Sequence, residues 1–128
     1  IGHGAYANGR PVRLSQTRAL KDALVCHGGL AQFTDAGREC ELPALARGSY
    51  TQRGLGDFAG YAALLLGQAD AVVDPAVQPY DVAAAAALIR EAGGRLTGPD
   101  GTDTIYARYA VASNGHVHDA LIELLRTA

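Results

Sequence analysis

Two rhythms of apolar positions run along the chain. Short strand-like runs stand at residues 23–27, 49–53, 71–74 and 109–112, and the longer stretches between them repeat their apolar positions at helical spacing. Residues 58–66 and 82–92 read as helices. Residues 117–125 read as an amphipathic terminal helix with Leu121, Leu124 and Leu125 inward. Residues 30–47 carry an irregular helical pattern (Leu30, Phe33, Ala36, Cys40) that should break near Pro43, with Glu39 and Glu41 on a solvated face. Ahead of these, residues 5–7 and 10–14 flank Asn8-Gly9, a pair suited to the two left-handed positions of a hairpin turn. Residues 95–97 and 104–106 flank a surface turn at residues 98–101, and Gly93-Gly94 supplies a helix stop. Strands alternating with helices predict an α/β fold, a mostly parallel sheet with flanking helices on both sides.

The chemistry is concentrated in residues 54–94. Asp57 and Asp81 each stand directly before an apolar helical run, and Asp74 closes the strand between them. A plain helix cap accounts for the first two, because a carboxylate at that position accepts the free N–H groups of the first turn. Asp81 follows Pro79-Tyr80, which places it where strand ends and helix starts cluster in α/β folds, so it can also hold a cation or an ammonium group. His27 ends the strand at 23–27 and is followed by Gly28-Gly29, which lets the backbone approach a ligand; His27 is a candidate lining residue. His116 and His118 do not form a zinc site, since residues two apart on a helix face different ways and no third ligand has the spacing.

Composition narrows the classes. A chain of 128 residues is one domain's worth. The net charge of −2, with Lys21 the only lysine, leaves no basic footprint for nucleic acid. Cys26 and Cys40 cannot make a disulfide framework, and Cys26 sits in an apolar run that suits a buried thiol. No stretch reaches the roughly 18 apolar residues of a membrane span, so a cytoplasmic protein is expected. The chain begins at Ile1 and has no methionine, from which residues upstream are expected to be missing.

The runs Ala69-Asp70-Ala71 to Asp74, Pro79-Tyr80-Asp81-Val82-Ala83-Ala84 and Glu91-Ala92-Gly93-Gly94 resemble the C-terminal signature of the inositol monophosphatase family, usually Trp-Asp-x-Ala followed by Glu-Ala-Gly-Gly. Tyr80 stands in the Trp position. Gly56-Asp57-Phe58 and Gly60-Tyr61 are most similar to the histidinol-phosphate phosphatase branch. Asp100-Gly101-Thr102 is not the family's Asp-Pro-Ile/Leu-Asp-Gly-Thr metal motif, because no Asp-Pro precedes it. The resemblance implies the C-terminal part of a layered α/β/α/β/α sandwich, with residues 1–14 a residual hairpin of a first sheet, residues 15–128 the C-terminal α/β domain, and the N-terminal half absent.

It further implies half of a phosphomonoesterase that needs Mg²⁺, two or more ions in the complete enzyme, and acts on a small-molecule phosphate monoester such as histidinol phosphate. Of the metal ligands this half would carry only Asp81. Asp57, Phe58 and Asp74 would select the alcohol part of the substrate, and no catalytic residue would lie in this half. The missing half and a homo-oligomeric partner are expected to cover apolar surface, with no nucleic acid and no membrane among the partners. A non-catalytic remnant or assembly module, with Asp81 only a cap, is the alternative.

Overall fold

A computed structural model describes residues 1–128. Strand β1 (Tyr6–Ala7) and strand β2 (Arg10–Pro11) form an antiparallel hairpin. Its turn has Asn8 at φ 52° and Gly9 at φ 80°, the left-handed pair that such a turn requires. A short 3₁₀ turn at Leu20–Asp22 precedes β3 (Leu24–His27), α1 (Leu30–Asp35), α2 (Glu41–Gly48), β4 (Thr51–Arg53), α3 (Ala59–Leu65), β5 (Ala71–Asp74), α4 (Pro79–Glu91), β6 (Arg95–Thr97), β7 (Ala110–Ser113) and α5 (His118–Arg126).

The main sheet has the order β4-β3-β5-β7-β6. Strands β4, β3 and β5 are parallel, and β7 runs antiparallel to both β5 and β6, so four of the five strands point one way. Alternation along β5 divides the interior in two. Val72 faces a core built with Cys26, Tyr61, Leu64, Val82 and Ile89 from the α3/α4 side, whereas Ala71 and Val73 face Val25, Phe33, Leu45, Leu121 and Leu125 from the α1, α2 and α5 side. Three layers, α/β/α, result.

The break within residues 30–47 differs from the sequence expectation. The 30–47 pattern divides before Pro43: Gly37 takes φ 69° and its N–H and that of Arg38 return to Thr34 O and Phe33 O, closing α1. Pro43 then falls in the first turn of α2, where its missing N–H has no partner to lose. Residues 104–106 form no strand; the preceding turn is closed by Asp100, which accepts the Thr102 N–H and hydroxyl at 2.9 Å each. Helix α4 ends as expected at Gly93, φ 92°, with Gly94 N–H bonded to Ile89 O at 2.8 Å.

Glu41 is not solvated. It is 3% exposed, accepts the Tyr109 hydroxyl through Oε2, and pairs with Arg38 through Oε1 at 2.6 Å. Arg38 also lies 4.7 Å over the Tyr109 ring, so the one buried carboxylate of α2 is neutralised and hydrogen-bonded at once. The helical periodicity made Glu41 helical but left it ahead of the expected break at Pro43, and its bond to Tyr109, distant in sequence, helps decide which way it points.

Two further polar clusters tie loops to the sheet. Asp70 accepts the Ser15 hydroxyl at 2.5 Å and the Leu24 N–H at 2.7 Å, and Asn114 Nδ2 donates to Ser15 O and Thr17 O at 3.2 and 2.9 Å. These bonds fasten the 12–23 segment to the amino ends of β3 and β5. His118 is fully buried between Thr97 and Ser113. Thr97 Oγ1 donates to Gly98 O, so it accepts from His118 Nε2–H at 2.8 Å; Nδ1 is then the acceptor for the Ser113 hydroxyl at 2.9 Å. The neutral ring satisfies both bonds.

Burial, followed by the Arg95 charge and only partly opposed by Asp119, lowers the His118 pKa to about 4. A depressed folded pKa means a stability contribution present above the unfolded value of about 6.5 and lost as pH falls towards 4. Chemical denaturation should therefore show about 3 kcal/mol of stability disappearing between pH 6.5 and pH 4, and His118→Gln should flatten that slope whatever its effect at neutral pH. A slope retained in the variant would assign it to other groups.

Candidate active site

The carboxyl ends of β3 and β5 open on one side of the sheet, where a polypeptide must leave each strand and start a helix. Backbone N–H groups and side chains at these ends have no strand partner, and ligands gather there in α/β folds. A cleft of about 480 Å³ occupies this place, bounded by Gly28 and Gln32 after β3, Gly56 to Phe58 and Tyr61 around the start of α3, Asp74 at the end of β5, and Tyr80 and Asp81 in the first turn of α4.

Three carboxylates face this cleft, each held differently. Asp74 is half-buried, receives the Ala76 N–H, and has Oδ2 at 3.5 Å from the hydroxyl of the buried Tyr61. Burial raises the Asp74 pKa above the usual carboxylate range, and the charges of Asp81 and Asp57 raise it further against those two donors. Burial and Asp74 together push the Tyr61 hydroxyl pKa up, so it remains a donor.

Asp57 does not cap its helix. Helix α3 begins at Ala59 after Phe58, with no side-chain cap, and Asp57 stands outside it at φ 52°. That left-handed conformation is open to Asp, whose short polar side chain tolerates it better than most, and it leaves the carboxylate unbonded at the cleft wall.

Asp81 is the third residue of α4 rather than its cap, since the helix starts at Pro79, a residue already fixed at helical φ. Its Oδ2 reaches back to the Gln78 N–H at 2.7 Å, and Oδ1 takes no hydrogen bond within the chain. Cap and ligand are thus compatible roles, one for each oxygen.

Phe58 and Tyr61 pack with ring centroids 6.1 Å apart, and Tyr80, 82% exposed, stands over the mouth. His27 is beside the cleft without lining it. Its Nδ1–H donates to Gly28 O at 2.7 Å, and its ring meets Phe33 edge-on at 5.9 Å, so it supports the Gly28 backbone from behind. A Cβ on Gly54 would meet that ring at 3.2 Å. Gln32 and Tyr61 were not foreseen as site residues. Their signals were a Gln three positions after a helix-start glycine, and a polar tip in an otherwise apolar run.

Chemically, the cleft is a net negative recess with aromatic sides. It suits a hard cation or an organic cation. Magnesium accepts carboxylate oxygens and keeps waters, so Asp81 Oδ1 fits as one ligand, yet no group of three His, Cys, Asp or Glu converges anywhere in the chain. By themselves these residues do not make a complete metal site.

Fold and cleft together define an α/β protein with an acidic cleft at the carboxyl edge of its sheet. The chain belongs to the inositol monophosphatase family, which it matches over residues 1–128. It is 33% identical to a histidinol-phosphatase of Streptomyces coelicolor (96% of this chain, 48% of that protein) and 34% identical to one of Mycobacterium tuberculosis (97% and 50%). Among solved structures it superposes on the inositol monophosphatase of Anabaena with TM-score 0.89 at 29% identity, covering 99% of this chain and 52% of that one. An IMPase/NADP phosphatase solved with Mg²⁺ and phosphate shares the fold at TM-score 0.78 and 21% identity, over 99% of this chain and 48% of that one. The chain spans about half the length of the curated relatives it matches. No helix is long and apolar enough to cross a membrane.

The Tyr61 hydroxyl favours the ionised form of Asp74, so Tyr61→Phe should move the Asp74 pKa further up. Carboxyl ¹³C titration of the two proteins would measure this. A raised folded pKa favours the protonated state, whose stabilisation is complete below the unfolded carboxylate value and lost as pH rises through the folded one. The variant should therefore lose stability relative to wild type over that window. An unchanged or lowered Asp74 pKa would mean that the 3.5 Å contact carries no hydrogen bond.

Proposed function

We propose that this chain is the carboxyl-side half of a Mg²⁺-dependent phosphomonoesterase whose substrate is the phosphate ester of a cationic alcohol, histidinol phosphate being the favoured example. The observation that carries the reading is the meeting of Asp57, Asp74 and Asp81 in one cleft with unequal attachments. Family membership supports the phosphatase class, and the two histidinol-phosphatase relatives support the choice of alcohol.

Asp81 would hold a Mg²⁺ ion through Oδ1, with further ligands from outside these residues. When bound, such ions polarise the phosphate ester and lower the pKa of attacking water. The chain's own part is positioning. Asp57 and Asp74 would hold the ammonium or imidazolium part of the alcohol, two negative charges on a partly buried wall. Phe58 would cover the alcohol's apolar atoms, and Tyr80 would shield the mouth. An apolar groove formed by the β1–β2 hairpin with Phe58, Leu65, Leu66 and Leu88 is the face we assign to contact with the remainder of the enzyme.

The isolated chain should show no Mg²⁺-dependent turnover, because one carboxylate oxygen is not a site; activity in the pure 128-residue chain would refute the incomplete-site reading. In the complete gene product, Asp81→Asn keeps an amide oxygen for Gln78 N–H, so stability without metal should change by less than about 1 kcal/mol. Turnover should fall roughly a hundredfold or more, about 2.7 kcal/mol of transition-state stabilisation. Asp57→Asn and Asp74→Asn should instead raise KM about tenfold for a cationic ester and leave a neutral one nearly unchanged. Near-normal turnover in Asp81→Asn would favour the non-catalytic alternative, in which that residue only closes a helix.

A further inference from the structure

Gly2-His3-Gly4 and Glu91 have no part in the chemistry assigned above, and the structure joins them. Glu91 is the last residue of α4. Its carboxylate accepts the Gly2 N–H through Oε1 and the Gly4 N–H through Oε2, the latter at 3.0 Å. Gly2 and Gly4 take φ 86° and 83°, so the segment lies this way at no steric cost. A Cβ on Gly2 would meet nothing within 4 Å, and the glycine there serves backbone conformation alone. An acidic side chain is out of place at this end of a helix, where the macrodipole is negative. The basic residue of the last turn, Arg90, pairs with Asp103 instead. The Gly2 and Gly4 N–H groups are what hold the Glu91 charge, and they draw its pKa below the usual carboxylate range.

This clamp leads to the cleft through one side chain. Ala5, Tyr6 and Val12 of the hairpin, which begins directly after the clamped segment, line an apolar groove of about 170 Å³ together with Phe58, Leu65 and Leu88. Leu88 precedes Glu91 by three residues, so clamp and groove share a face of α4. Phe58 also lines the cleft, and it is the one residue common to both recesses. It has no polar atom to fix it, so packing against its neighbours sets where the ring stands. The hairpin is one of those neighbours.

Resting on the phosphomonoesterase reading of the cleft, we infer that Glu91 is a positioning residue: its two hydrogen bonds seat the hairpin against α4, and the seated hairpin holds Phe58 where it can cover the alcohol part of a substrate. Helix α4 then serves the site from both ends, through Asp81 in its first turn and Glu91 at its last residue.

Glu91→Gln in the complete gene product tests this, because an amide offers one acceptor and turns a donor towards the second N–H. Gly2→Ala is the second variant: it leaves the carboxylate in place and disturbs the clamp through backbone conformation alone. In both, amide hydrogen exchange at Gly4 should quicken about tenfold or more. A ¹⁹F resonance from fluorophenylalanine in place of Phe58 should shift, while the same label in place of Phe33, in the other core, should stay. KM for histidinol phosphate should rise about fivefold with kcat within about twofold, and KM for methyl phosphate, which has almost no apolar part to cover, should stay within about twofold. The double variant should be no worse than the worse single one, since both break the same contact. An unchanged Gly4 exchange rate, or additive losses in the double variant, would remove the clamp. Faster exchange with an unmoved Phe58 label, or equal changes on the two esters, would overturn the positioning role. If the wild-type protein hydrolyses no ester, the phosphatase reading fails by itself, and the exchange and fluorine measurements still decide the clamp and its hold on Phe58.

Discussion

Everything in the cleft depends on the pairing of β5. It is hydrogen-bonded on both sides, parallel to β3 and antiparallel to β7, and Ala71, Val72 and Val73 are buried on both faces. A one-residue slip would turn Val72 and Val73 into the wrong cores and carry Asp74 from the rim to the interior, where an unpaired carboxylate is costly. The register Asp74↔Ala110 therefore does two things. It satisfies the packing of both layers, and it leaves the last side chain of the strand at the only edge where water or a ligand can meet it.

That placement has an electrostatic cost which the surroundings offset only in part. Asp74 loses water on burial and lies near two like charges, while Ala76 N–H and the Tyr61 hydroxyl at 3.5 Å offset only part of that cost. Structural carboxylates elsewhere in the chain are treated differently. Glu41 has Arg38 and Tyr109, and Asp70 has Ser15 and the Leu24 N–H. A half-buried carboxylate with no cationic partner of its own would gain from a nearby cation, which is the physical ground for the cation proposed in the cleft.

The order of strands and helices was legible because periodicity and turn chemistry agreed: Asn8-Gly9 at the hairpin, Gly93 after α4, and an uninterrupted apolar β5. The C-terminal motif placed Asp74 and Asp81, and both lie in the cleft. What was not legible depended on contacts far apart in sequence. Glu41 has the spacing of a solvent-facing helical residue, and nothing near it announces Tyr109, 68 positions away. The division of 30–47 was assigned to Pro43 because proline is the stronger breaker in general, yet Gly37 ends α1 and the proline is harmless in a first turn. His27 looked like a lining residue from its place at a strand end; its ring is engaged by Gly28 O and Phe33, and it is not among the residues that bound the cleft.

Asp57 and Asp81 show why local sequence alone cannot separate a cap from a ligand. Both precede an apolar helical run, and both were read as caps on the same rule. In the folded chain the helix at Asp81 starts three residues earlier than that rule puts it, because Pro79 is already suited to a first helical position, and this moves the carboxylate inside the turn where it reaches back with one oxygen only. At Asp57 the helix starts one residue later, and the left-handed backbone leaves the carboxylate without an N–H of the turn. Shifts in opposite directions thus convert one pattern into a half-committed carboxylate and a wholly free one. The half-committed group is held in place and the free one can adjust, so the division of labour proposed for the cleft would follow from where two helices begin.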